Sequence, residues 1–321
     1  MNTTIDRRQF LAALSMSAAG AAFLPHCAPL GNDRSKGRPF SGGELTLVCL
    51  AHDAATLAPL AFELSNEFKT ALSADINAPS HGDFSRIGGL VRASDDQMIA
   101  LLQELADQPG SETRAKKLAL ALGWLTARAG KRQLEPLYRR EAKRDKQTPP
   151  DIIIYHDAVL MRELYGESAL PSAVTSQDVE NLFLELLPRM ITRTHTLTPD
   201  YDDGEGWVLR IMAWRERTIA MLRRYGRAYH SPDPEKYRAF VERPHFYDRD
   251  DDLLRMVRAA QEERTVSGEA LAAALRSSQP RCLYAQALSD GLRAIETAQQ
   301  WFNGQSTKER FRKAITQPLG L

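Results

Sequence analysis

Apolar residues recur at three- and four-residue steps along most of this chain, the spacing that places side chains on one face of an α-helix. In DAATLAPLAFELSNEFKTAL (53 to 72), Leu57, Leu60, Ala61, Leu64 and Phe68 form such a stripe and predict one helix. SDDQMIALLQELADQPG predicts another, opened by Ser94 as N-cap with acidic residues in the first turn, and stopped at Pro109-Gly110. ETRAKKLALALGWLTARAG follows, with Leu118, Leu122 and Leu125 on one face and Trp124 beside them. A separate basic helix then runs to Lys146, closed by Pro149-Pro150.

Asp151 is the expected cap of DIIIYHDAVLMRELYG, although its opening, Ile152 to Tyr155, would also suit a short strand. SQDVENLFLELLPRMITR starts at the cap Ser176 and is kinked or ended by Pro188. The polar loop THTLTPDYDDGEGW then marks a boundary, dividing a helical domain over 44 to 196 from a helical extension over 207 to 321. In that extension, WVLRIMAWRERTIAMLRRYGRAY, DPEKYRAFVE, DRDDDLLRMVRAAQEER, SGEALAAALRSS and PRCLYAQALSDGLRAIETAQQWFNG read as helices with Ser, Asp or Pro starts and Gly stops. No run of alternating strands and no βαβ rhythm interrupts the pattern. The expected fold is mainly α, an irregular helical bundle in two halves.

The amino terminus breaks this pattern. Arg7 and Arg8 precede Gln9, Phe10 and Leu11, and a segment of small and apolar residues runs from Leu11 to Leu24. An arginine pair, a spacer and Phe-Leu before such a run reads as a twin-arginine export signal. The run falls short of the ~20 apolar residues that a membrane span takes, and it fits the apolar core of a cleaved signal over 1 to 26. Ala18, Ala19, Ala21 and Ala22 offer sites for ordinary cleavage, and Cys27 offers lipidation and a membrane anchor instead. Residues 27 to 43, rich in Gly, Pro, Ser and charge, read as a linker. The expected location is the periplasm, reached as a folded protein. Because this export route moves folded cargo, the chain is expected to bring a cofactor or a partner with it.

Composition narrows that choice. A 43% hydrophobic content supports a core, and 42 basic against 41 acidic residues leave no net field directed at nucleic acid or an anionic surface. With Cys27 removed or lipidated, Cys49 and Cys282 remain as a pair able to bridge or as two buried thiols. A dinucleotide site needs Gly-x-Gly-x-x-Gly between strand and helix, and neither IGG at 87 to 89 nor GEG at 204 to 206 provides it. Cys-x-x-Cys-His, Gly-x-Ser-x-Gly, the P-loop and His-Glu-x-x-His are missing from the sequence as well. No cofactor is expected in this chain.

Two His-Asp pairs hold the remaining candidate chemistry. AHDAATLAPL and YHDAVLMREL place His52-Asp53 and His156-Asp157 in the same local pattern, which suits a duplicated metal-binding unit or a metal phosphohydrolase. Neighbours on a helix point about 100° apart, so each pair offers at most one ligand to a shared site. The alternative is that each Asp sits near a helix start, holding backbone amides, with its His partly exposed. Two other stretches invite a partner: residues 128 to 146, with eight basic and three acidic residues, and the aromatic and methionine stripe of Trp207, Ile211, Trp214, Ile219, Met221, Leu222 and Tyr225. A solvated face explains the first and core packing the second.

The arginine signal, the leading LTLVCLAHDAATLAPLAFELSNEF, the helix ending in Trp124 within LALALGWL, and YHDAVLM, where Tyr155, Ala158, Leu160 and Met161 match a Tyr-x-x-Ala-x-Leu-Met element, resemble the small subunits of periplasmic FAD-dependent sugar, polyol and gluconate dehydrogenases. The resemblance covers residues 7 to about 170. It implies a helical, non-catalytic accessory subunit that binds an FAD-containing catalytic subunit, helps it fold and carries it through the twin-arginine machinery. It further implies that electrons pass on to a c-type haem subunit or domain. Trp124, Tyr155, Leu160 and Met161 are then the candidate anchors of the interface. The competing readings are a metal-dependent hydrolase built on His52, Asp53, His156 and Asp157, and a stand-alone periplasmic helical binding protein or lipoprotein.

Overall fold

The computed structural model describes residues 44–72, 84–85, 88–89, 95–107, 114–144, 150–165, 226–262, 264–277 and 281–316. Among them all regular structure is helical, with no strand, so the fold is mainly α. The helices are α1 (Glu44–Ala61), α2 (Asn66–Leu72), α3 (Asp95–Asp107), α4 (Arg114–Arg144), α5 (Pro150–Leu160), α6 (Pro234–Tyr237), α7 (Asp252–Gln261), α8 (Gly268–Arg276), α9 (Leu283–Phe302) and α10 (Lys308–Thr316). Wider π-helical turns extend α5 through Met161–Tyr165 and α6 through Arg238–Glu242.

The segment expected to be two helices is one: α4 runs for 31 residues through both Gly130 and Pro136. An interior proline costs about 3 kcal/mol through its lost hydrogen bond and ring clash. Burial of Leu134, Leu137 and Tyr138 around Pro136 offsets that penalty. Gly130 does not end the helix because it serves a helix crossing, where a side chain would overlap Leu50 of α1. One turn earlier on α4, a Cβ on Gly291 of α9 would lie 2.6 Å from Cγ2 of Thr126. Small residues thus let α1 and α9 lie close against α4, and these three helices form the centre of the molecule.

The single helix expected over 53 to 72 is instead two. α1 ends at Ala61, after Pro59, and α2 begins at Asn66. Gln299 of α9 fills the break, its Oε1 accepting the Ser65 amide at 2.8 Å and its Nε2 donating to the Glu63 carbonyl at 2.9 Å. One side-chain amide therefore satisfies a donor and an acceptor that the broken helix would leave unpaired. Leu57, Leu64 and Phe68 are buried as expected, but Leu60 is 44% exposed.

Other ends follow local chemistry. Asp251 caps α7 through the Leu253 and Leu254 amides, and its second oxygen accepts the Cys282 amide at the start of α9. Ser267 caps α8, and Asp233 caps α6 with Pro234 in the first position. Gly304, at φ +71°, follows the end of α9. The Ile152–Tyr155 stretch is helical rather than extended, and Asp151 sits in the first turn of α5, where it pairs with Lys236, instead of capping it.

The expected boundary at residues 194–207 lies outside the described residues. The elements flanking it share one hydrophobic core that runs from Leu47 to Ile315, with α9 packed on both α4 and α1. A smaller cluster of Ile154, Tyr155, Ala158, Val159, Ala228 and Val241 joins α5 to the α6 region. Among the described residues no helix is long and apolar enough to cross a membrane.

Candidate functional site: the His-Asp pairs

The 100° between helical neighbours sends the members of each pair to different places. On α5, Asp157 turns toward the amino end of α1, accepting the Thr46 amide at 2.9 Å and the Thr46 hydroxyl at 2.6 Å. His156 turns the other way and is fully buried, stacked on Phe246 with ring centroids 3.5 Å apart and planes 4° from parallel. Its Nε2 lies 2.7 Å from the Phe240 carbonyl and its Nδ1 3.1 Å from the Tyr138 hydroxyl. A carbonyl only accepts, so Nε2 carries the proton and Nδ1 accepts from Tyr138. Both ring nitrogens are therefore engaged.

On α1, Asp53 is buried and accepts the Tyr284 hydroxyl of α9 at 2.8 Å, with a long 3.5 Å contact from Gln261 Nε2 of α7. His52 is half-buried, and its backbone carbonyl accepts the Thr56 hydroxyl. The expectation that each Asp holds amides near the start of its own helix does not hold for Asp157, which lies late in α5 and accepts an amide in the first turn of α1. Asp53 instead ties α1 to α9 from mid-helix. His156 is enclosed, not partly exposed.

Between the pairs stands Phe246, stacked on His156 and edge-on to Tyr284 with centroids 6.2 Å apart. Its position follows from the chain at His245, a non-glycine residue at φ 51°. That turn presents two successive carbonyls to α9: His245 accepts the Leu283 amide and Phe246 the Tyr284 amide, at 2.9 and 3.0 Å. The loop carbonyls thus satisfy donors that a helix start leaves unpaired.

Burial sets the charge state of this cluster. It lowers the His156 pKa to about 3, against the opposing pull of the Phe240 carbonyl. Tyr284 is pushed well above the usual phenol value, by burial and then by the Asp53 charge. The Cys282 thiol is pushed up to about 12 by burial. A neutral, enclosed imidazole with both nitrogens bonded acts as a tie between helices, with no lone pair directed at a cation. Among the described residues no group of three or more His, Cys, Asp and Glu forms a metal-ligand set.

The other candidates divide by position. Trp124, Tyr155, Ala158 and Leu160 are buried in the chain's own interior, and Met161 is half-buried against it. The Tyr155 hydroxyl accepts the Asp233 amide at 2.9 Å, and its ring packs on Phe240. The apolar surface of Trp124, Tyr155 and Leu160 is thus already spent inside the chain. Within the basic run, Arg128 pairs with Asp95 and Arg139 with Glu135, while Arg132 donates to the Ala314 carbonyl at the end of α10. Cys49 and Cys282 are both buried and are not joined in a disulfide. Arg7, Arg8, Phe10, Leu11, Cys27 and the stripe from Trp207 to Tyr225 lie outside the described residues.

Sequence reasoning did not single out Tyr138, Phe246, Tyr284, Gln261 or Gln299. Each is an ordinary core or helix residue by spacing, and only the fold shows what it meets. Comparison with known proteins adds no guide to the site: no family description, curated protein or solved structure matches the chain.

Proposed function

We propose that this chain is a non-catalytic accessory subunit of a periplasmic FAD-dependent dehydrogenase, exported as a folded assembly by the twin-arginine route. The observation that carries the reading is Arg7-Arg8-Gln9-Phe10-Leu11 with the apolar run to Leu24, ahead of a helical chain in which Asp53, His156 and Asp157 are bonded to other parts of the core. The pattern of Trp124, Tyr155, Ala158, Leu160 and Met161 supports the same family of small subunits. In this reading Cys27 is the anchor where it is lipidated, and the FAD and c-type haem belong to partner subunits. The burial of Trp124, Tyr155 and Leu160 makes them the frame of the subunit, with contact to the flavoprotein made by its outer surface.

The test is purification of the native protein from periplasm. A yellow flavoprotein held in fixed proportion supports the proposal, whereas a lone colourless monomer supports a stand-alone binding protein, and stoichiometric metal with hydrolytic activity supports the hydrolase. Deleting the chain while a neighbouring dehydrogenase stays folded, exported and active overturns it.

A further inference from the structure

We draw no further inference here: the strongest candidate, the side-chain cluster where Tyr247 Oη, Arg258 Nε and Gln261 Oε1 lie without partners beside the Asp53–Tyr284 pair between α1, α7 and α9, carries nothing, because each of those atoms is covered by packed protein with no water-sized space against it and nothing in the structure shows a ligand there.

Discussion

Asp157 of α5 closes the amino end of α1 by accepting both the amide and the hydroxyl of Thr46, at 2.9 and 2.6 Å. The contact spans 111 residues of sequence, so it stabilises the packing of two helices and not a local turn. The carboxylate also sits at the positive end of the α1 dipole. Asp157→Ala leaves two buried donors unpaired and is expected to lose about 2–3 kcal/mol in urea unfolding. Thr46→Val removes the hydroxyl alone and should lose less. If the two residues act together, the double variant is less destabilised than the sum of the singles. Additive losses would show that the pair is not coupled.

His156 makes stability depend on pH. Its pKa falls from 6.5 to about 3 on folding, so between those values the unfolded chain binds a proton that the folded chain excludes. The contribution is fully present above about pH 6.5 and is lost as the pH falls toward 3. Two pH units of that window correspond to about 2.7 kcal/mol. Wild type should therefore lose about 2–3 kcal/mol more than His156→Gln between pH 6.5 and 4.5, measured by urea unfolding at each pH. Parallel curves for the two proteins would refute this account of the buried imidazole.

The crossing of α4 and α9 depends on the absence of a side chain at Gly291. A Cβ there would stand 2.6 Å from Cγ2 of Thr126, a methyl on a stiff β-branched residue. Gly291→Ala is expected to lose about 1–3 kcal/mol through overpacking. Thr126→Ala in the same chain should recover part of that loss. Gly123→Ala should show no such rescue by side-chain trimming, since its Cβ would overlap the Ser85 backbone carbonyl. Thermal unfolding of the two single variants and the double variant separates the cases.

These contacts show why the fold was more legible than the site. The helical period and its punctuation by Asp251, Ser267 and Gly304 are local, and sequence spacing reads them directly. The break after Ala61 is not local, because Gln299 stabilises it from the far end of the chain. The continuity of α4 through Pro136 likewise depends on what Leu134, Leu137 and Tyr138 meet. The His-Asp pairs stood out as residue types, but Asp53 finds Tyr284 across 231 residues, and no local pattern encodes that partner. A short motif marks side chains capable of chemistry, and tertiary packing decides whether they are open to substrate or spent on the core.

Arg7 and Arg8 test the part of the reading that rests on the leader. A twin-arginine signal is read as a specific pair of guanidinium groups, and lysine keeps the charge without the planar donor fork. Arg7→Lys with Arg8→Lys is expected to leave the chain folded in the cytoplasm and to abolish its appearance in the periplasm, followed by fractionation and immunoblot. If the chain carries a flavoprotein with it, that protein should be retained in the cytoplasm to the same extent. Cys27→Ser in an otherwise natural chain separates the two fates of the signal: transfer of the mature protein from the membrane to the soluble periplasmic fraction marks lipidation, and an unchanged soluble distribution marks ordinary cleavage. Undiminished export of the lysine pair would remove the twin-arginine reading, and with it the main support for a co-exported partner.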